Sequence, residues 1–354
     1  MLRFRSAEMK RLRRVVGSRE NNEEDIVPEA LKCIARLALV ACTFCSAGGT
    51  IAAESGEYPN RPVRWVVPFA PGASNDIIAR LMASKLTDAL GQQYIIDNRG
   101  GAGGAVGAEI VAKAAPDGYT LLSANPGPNV NNILLRKSPP YRFEDFTPII
   151  FFGYAPLIIV VNSKLPPNTV PELLDYARTH AGKVTWASSG IGSSLHIGME
   201  LFRAATKAQL THIPYKGTAP AFIDILSGQV TAMYTTSVSA EVHLKSGRLK
   251  ALGIAAKKRQ SVLPNLPTLE EQGVKNAEAI VWFALSGPAK LPRAIVDKLN
   301  AECNRALGMP DVRKRLDQLG LEVGGGTPED FARFINDEAA KLRMLIKAGA
   351  LTPE

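Results

Sequence analysis

The small polar residues whose types and spacing suit ligand chemistry gather in loops that join an apolar run to a helical pattern. Residues 68–76 read PFAPGASND, after the apolar run VRWVVPF (63–69) and before a helical pattern from residue 75. Where a strand ends and a helix begins, unpaired N–H groups and the helix dipole favour a carboxylate or phosphate. Gly72 permits close backbone approach, and Phe69 and Ala73 flank the turn. Ser74, Asn75 or Asp76 can bind a ligand or simply cap the helix.

Residues 186–198, WASSGIGSSLHIG, form a second loop of this kind. Ser188, Ser189, Ser193 and Ser194 supply hydroxyls, while Gly190 and Gly192 supply access. Trp186 stands where a nucleophile elbow GxSxG needs its first glycine. No oriented base and supporting acid can be assigned, so His196 reads as a packed or capping histidine. His180, His196, His212 and His243 have no metal-ligand spacing.

A third loop, DNRGGAGGAVGAE (97–109), places Gly101, Gly103 and Gly107 as GxGxxxG rather than GxGxxG. The next strand ends in SANPG (123–127) without an acid for a ribose hydroxyl, so a dinucleotide site is not supported. The run reads instead as a helix entry that can offer N–H groups to an anion. In the fourth loop, HIPYKGTAP (212–220), Lys216 is either a charge partner for an anion or a solvated residue. Tyr215 either walls a pocket or packs, and Gly217 precedes a helix. No cofactor site is expected.

Positioning these loops takes alternating strands and helices. Strands are expected at 63–69, 93–97, 119–124, 184–187, 211–214, 230–235 and 249–255. Helices are expected at 75–90, 109–114 (continuing from the glycine loop), 170–180, 194–206, 220–227, 292–307, 310–318 and 328–347. Such alternation implies βαβ units and mostly parallel sheets flanked by helices. The stretches 145–166 and 279–292 each join apolar residues to a Gly or Pro break, as if the chain leaves one domain and returns. Two domains follow: 54–155 with 285–354, and 156–284. A single α/β domain with a long insertion is the alternative.

The 354 residues are 46% apolar and 21% charged, a globular composition. LKCIARLALVACTFCSAGGTIAAES (31–55) has Lys32 and Arg36 before an apolar run, then small residues with Ala52 and Ala53 before Glu54. That is the layout of a secretory signal peptide, with a long polar extension ahead of it. The apolar run is too short to cross a bilayer, which takes roughly 20 residues. The segment LVAC offers a competing reading in which Cys42 is lipidated. Without residues 1–53 the net charge falls from +9 to +6, because nine basic and six acidic residues leave. The remaining charges are scattered, which argues against nucleic acid as a partner. Three of the four cysteines lie in the leader and only Cys303 remains, so no internal disulfide or CxxC metal site is expected.

Taken together, YPNRPVRWVVPFAPGASNDIIAR, DNRGGAGGAVGAEIVAKAAPDGYTLL, SSGIGSSLHIGMELF, IPYKGTAPAFIDILSGQVTAMY and LPTLEEQGV closely resemble the extracytoplasmic solute receptors of tripartite tricarboxylate transporters, the Bug (TctC-like) family. The resemblance runs from Tyr58 to near the C-terminus. It implies a two-domain, type II-like periplasmic binding protein, each domain an α/β sheet flanked by helices, that closes like a flytrap. It implies a small carboxylate ligand held by backbone N–H groups, hydroxyls and water: a di- or tricarboxylate, an acidic amino acid or an aromatic acid. By position the ligand loops fall on Phe69 and Gly72 to Asp76, and on Ser188, Ser189, Gly190, Gly192, Ser193 and Ser194, with Tyr215, Lys216 and Gly217 flanking. The implied partners are two permease subunits, or in some members a sensor, and the receptor is taken as a monomer in the periplasm. Ala73 replaces the second glycine of the family's PGGxxD loop, which alters the room and backbone freedom there. A carboxylate-processing enzyme or a regulator's effector domain are the rivals; the first lacks a catalytic set and the second a DNA-binding module.

Overall fold

The expected alternation of strands and helices is present in the computed structural model, which describes residues 57–353. The leader and lipidation readings fall outside these residues. Strand β1 (Val63–Val67), helix α1 (Ser74–Leu90), β2 (Tyr94–Asn98), α2 (Ala105–Ala112) and β3 (Thr120–Ala124) come first. β1 lies between β2 and β3 and is parallel to both, with Val63 opposite Tyr94 and Trp65 opposite Leu121. A π-helical turn (Gly127–Asn131) leads into the short α3 (Asn132–Leu135), then into β4 (Phe146–Asn162). A second series follows: α4 (Val170–Thr179), β5 (Thr185–Ser188), α5 (Ser194–Thr206), β6 (Thr211–Pro214), α6 (Thr218–Ser227), β7 (Ala232–Thr236), α7 (Ser237–Lys245) and β8 (Leu249–Ile254). β9 (Ile280–Pro288) returns, and α8 (Arg293–Gly308), α9 (Pro310–Gln318), β10 (Glu322–Val323) and α10 (Pro328–Lys347) close the chain.

The strand order is β2-β1-β3-β9-β4-β7-β5-β6, with β8 and β10 also on β4. Parallel pairing is confined to the two outer groups, β2-β1-β3 and β7-β5-β6. The centre is antiparallel. β4 pairs with β9 from Phe146 to Pro156, then with β7 and β8 from Leu157 onward. One strand therefore belongs to both halves of the sheet and changes partners between Pro156 and Leu157.

The break expected inside 145–166 does not occur; β4 runs through Gly153 and Pro156 as one strand. Two register shifts against β9, at Pro148/Ile150 and Phe151/Gly153, absorb the irregularity. Gly153 has φ +141°, and a Cβ there would lie 2.2 Å from the Glu322 carbonyl oxygen. Only glycine lets β10 pair at this point. The sequence reading also passed over α3, β10 and α7, all short elements.

Each sheet half has its own tryptophan. Trp65 is fully buried under the first half, and its Nε1 donates to Ser123 Oγ at 2.9 Å. Trp186 lies 5.3 Å from both Phe202 and Tyr234 under the second. Trp282 of β9 meets Phe331 edge-on at 5.7 Å. α10 brings Phe331 there because Phe331, Ile335, Ala339 and Leu342 recur at helical spacing and are all buried. Thr327 and Asp330 form a capping box that fixes where α10 starts. Replacing any of these aromatics by alanine costs roughly 3–5 kcal/mol.

Candidate ligand-binding site

The carboxyl ends of β1, β3, β5 and β7 face one another across the junction of the two sheet halves. Between them is a cavity of about 20 Å³, room for about one water. From the first half come Phe69, Ala73, Ser74 and Asn75, at the start of α1, and Asn125 after β3. From the second half come Ser189 and Ser194 at the start of α5, Thr218 at the start of α6, and Thr235, Thr236 and Ser239 around the start of α7. Leu195 and Val281 complete the wall, which contains no Lys, Arg, Asp or Glu.

The helix starts are the electrostatic content of this cavity. The N-cap of α1 is Ala73 and that of α6 is Gly217, neither with a side-chain cap. α5 and α7 are capped by Ser193 and Thr236, which accept from the His196 and Ser239 N–H groups. Converging helix N-termini present positive potential without a basic side chain. The Ser74 N–H donates to Ser239 Oγ at 3.1 Å, so the two halves already touch through the wall. Asn125 Nδ2, Ser194 Oγ and Thr235 Oγ1 are buried and make no hydrogen bond in the structure. Leaving such a group unpaired costs about 1–3 kcal/mol. Three of them line one cavity.

Asp76 supports the first loop from below. Its carboxylate accepts from the Gly72 N–H at 3.0 Å, from Asn98 Nδ2 at 3.0 Å and from Arg80 Nε at 3.0 Å. Burial alone would raise its pKa, but Arg80, the Gly72 amide and Asn98 together hold it below the ordinary carboxylate range. Asn98 Nδ2 also donates to the Phe69 carbonyl, tying β2 to the turn. Gly72 is exposed, with φ +81°. Gly72 and Asp76 shape the loop and do not line the cavity.

Ser188, Gly190, Gly192 and Ser193 likewise brace the second loop. Ser188 Oγ lies 2.7 Å from His212 Nε2 and accepts from the Gly190 N–H at 3.1 Å. His196 Nδ1 accepts from the Gly192 N–H at 3.2 Å. Burial pushes the pKa of both histidines down to about 4, with the partner histidine and Arg203 adding to the shift of His196 and Arg203 to that of His212. Ser188 and His212 pair as a nucleophile and base would. However, Ser188 is completely buried, and a histidine with a pKa near 4 is a weak base at neutral pH.

Tyr215 and Lys216 line a separate pocket of about 460 Å³, together with Gly190, Gly192 and Arg136. Burial, with the hydroxyl's hydrogen bond to the Asp224 carboxylate, pushes the Tyr215 pKa up to about 12. Of the residues read from sequence, the structure brings Phe69, Ala73, Ser74, Asn75, Ser189 and Ser194 to the cavity. The glycine loop after β2 packs against the loop between β5 and α5 instead of facing the cavity: a Cβ on Gly103 would lie 1.9 Å from the Ile191 carbonyl oxygen. The sequence reading missed Asn125, Thr218, Thr235, Thr236 and Ser239. SANPG and MYTTS were visible signals, since both follow the rule of strand ends that found the first loop.

Residues 78–351 match the family model for the tripartite tricarboxylate transporter family receptor. The chain is 36% identical over 304 residues to the protein BugT of Bordetella pertussis (strain Tohama I), covering 85% of this chain and 93% of that one. Among solved structures, R. palustris Rpa4515 with adipate aligns with a TM-score of 0.81 at 34% identity, over 84% of this chain and all of that one. MatC from Rhodopseudomonas palustris with bound malate aligns at 0.77 and 35% identity, over 80% and 98% of the two chains. The chain belongs to the tripartite tricarboxylate transporter receptor family, the Bug (TctC-like) solute-binding proteins.

Proposed function

We propose that this protein captures a small carboxylate between its two sheet halves, with the ligand's anionic end at the polar cavity, and delivers it to the membrane subunits of a tripartite tricarboxylate transporter. One observation carries the reading: three buried polar groups without partners share a cavity rimmed by helix starts and free of charged side chains. A carboxylate can take hydrogen bonds from all three and is favoured by the dipoles. The relatives solved with adipate and malate support the class of ligand. The ligand contacts are assigned to the first loop, around Ser74 and Asn75, and to the second, around Ser189 and Ser194. Gly72, Asp76, Ser188, Gly190, Gly192 and Ser193 position those loops, and Tyr215, Lys216 and Gly217 flank them.

Residues 54–155 with 285–354 form one jaw, and 156–284 the other, joined by β4 and β9. Ligand binding shifts the jaws toward a closed form that the permease reads. The protein acts as a receptor rather than a catalyst. Export into the periplasm is assigned to the leader within residues 1–53. Among the described residues no helix is long and apolar enough to cross a membrane.

A thermal-shift panel of mono-, di- and tricarboxylates, acidic amino acids and aromatic acids tests this. A ligand at ~100 times its Kd adds about 2.7 kcal/mol, a rise of a few degrees for a chain of this size. No shift with any of them, and no small carboxylate released on denaturation in mass spectrometry, would overturn the proposal.

A further inference from the structure

The cavity is too small to hold a whole solute, and its wall continues into a second space. Ser194 lines both the cavity and a groove of about 280 Å³ between α5 and α10. The walls are contiguous in the chain as well: Asn125 and Val281 face the cavity, while their neighbours Pro126 and Ile280 face the groove. The groove approaches the lower end of ligand-pocket sizes, roughly 300–1,000 Å³.

Its chemistry differs from that of the cavity. Val130, Ile197, Leu201, Leu342 and Leu345 give it apolar walls from both jaws. Its charged residues are Glu278, Glu338 and Lys341. Lys341 Nζ is 2.7 Å from Glu338 Oε1, so its charge is already matched. A second carboxylate reaching into this groove would meet two acidic side chains and one committed lysine. An uncharged apolar group would pack on the aliphatic part of the wall and meet no such repulsion.

We infer that the preferred ligand is a monocarboxylate with an apolar body, its carboxylate in the polar cavity and its hydrocarbon part in the groove between α5 and α10. This rests on the carboxylate reading of the cavity and adds the character of the rest of the ligand. Ser194 marks the boundary between the two parts. Each methylene moved from water into the groove should tighten binding about four-fold until the groove is filled.

The test is calorimetry on the purified full chain with the straight-chain monocarboxylates from acetate to octanoate, and with dicarboxylates of matching length. The expected result is affinity that rises with chain length and exceeds that of the matching dicarboxylate by ten-fold or more. In Leu201→Trp, which fills the groove from a half-buried position, octanoate should weaken at least ten-fold while acetate changes less than two-fold. Leu345→Trp gives the same test from the opposite wall if the first variant melts early. Affinity independent of chain length, or dicarboxylates that bind more tightly, would overturn this inference and leave the carboxylate reading standing. Failure of every member to bind would overturn this inference, while the carboxylate reading falls only if the wider panel and mass spectrometry of the denatured protein also find nothing.

Discussion

The rings of His196 and His212 stack at 4.2 Å with 15° between their planes, directly behind the loop that carries Ser189 and Ser194. The stack is held by Ser188 on one side and by the Gly192 N–H on the other. His196 also lies 3.7 Å from Glu200, which pairs with Arg203. Two rings this close cannot both carry charge cheaply, and burial already disfavours the charged form of each.

A dependence of stability on pH follows from that stack. Both pKa values fall to about 4 in the folded protein, against about 6.5 for an unperturbed histidine. Between those limits the unfolded chain binds more protons, so stability rises with pH. The contribution is complete above about pH 6.5 and is lost as pH falls toward 4. The total is on the order of 5 kcal/mol, roughly 3 from His196 and less from His212, which solvent reaches. Urea titrations at pH 7, 6, 5 and 4 should show this slope, and His212→Gln should flatten it. A wild-type slope confined to pH below 4 would point to carboxylates instead.

Asp76 makes a contrasting prediction. Its three bonds hold the turn of the first loop, and Asp76→Asn keeps the shape while removing the charge that Arg80 faces. An amide nitrogen would also point at one of the donors. The expected loss is about 2–4 kcal/mol of stability, because breaking a buried charged network strands its partners. Ligand affinity should fall with it, since the turn presents Ser74 and Asn75. Chemical denaturation and calorimetry on the same variant check both, and loss of one without the other would separate loop support from folding.

The strands and the loop after β1 were legible because period-two and helical patterns survive wherever one face is buried. Tyr94, Trp65 and Trp186 all sit in strands that the alternation places within a residue or two. β4 was read as two pieces because Gly153 and Pro156 look like breaks locally. The pairing with β9 and β10, which tolerates both, is a long-range fact. Asp76 looked like a ligand residue or a cap, and only the positions of Asn98 and Arg80 turn it into a brace. Thr235 and Asn125 carry no motif of their own. They matter because their strands end opposite Ser194, and such a juxtaposition is not written in any single segment.

Thr235 offers a test of what the unpaired groups are for. Its Oγ1 is buried with no partner, in a side chain that is 1% exposed. Thr235→Val keeps the shape and removes an unsatisfied hydroxyl, which is neutral or stabilising by up to about 1 kcal/mol. If the hydroxyl serves a ligand, affinity should drop about ten-fold, near the 1.4 kcal/mol expected for a lost hydrogen bond. Thermal melting without ligand and calorimetry with the tightest carboxylate found give the two numbers. A variant that melts earlier and binds equally well would show that the hydroxyl is structural.

Gly103 supplies the most direct test of closure. It has φ +63°, and a Cβ there would sit 1.9 Å from the Ile191 carbonyl oxygen, in the loop between β5 and α5. Its own carbonyl accepts from Asn132 Nδ2 at 2.9 Å, so the loop has little room to retreat. A Cβ and a carbonyl oxygen cannot sit 1.9 Å apart, so Gly103→Ala must either distort its loop or push the two loops apart. The left-handed backbone alone costs an L side chain roughly 1–2 kcal/mol, and the clash with Ile191 adds to that, so melting should also fall. On the two-jaw proposal the larger consequence is for the closed form, and with it the affinity of any ligand that needs both jaws. Affinity should fall more than ten-fold, and small-angle scattering with saturating ligand should give a larger radius of gyration than the wild type. Equal affinity and an unchanged radius would mean that the Gly103–Ile191 contact is no part of the ligand-bound state.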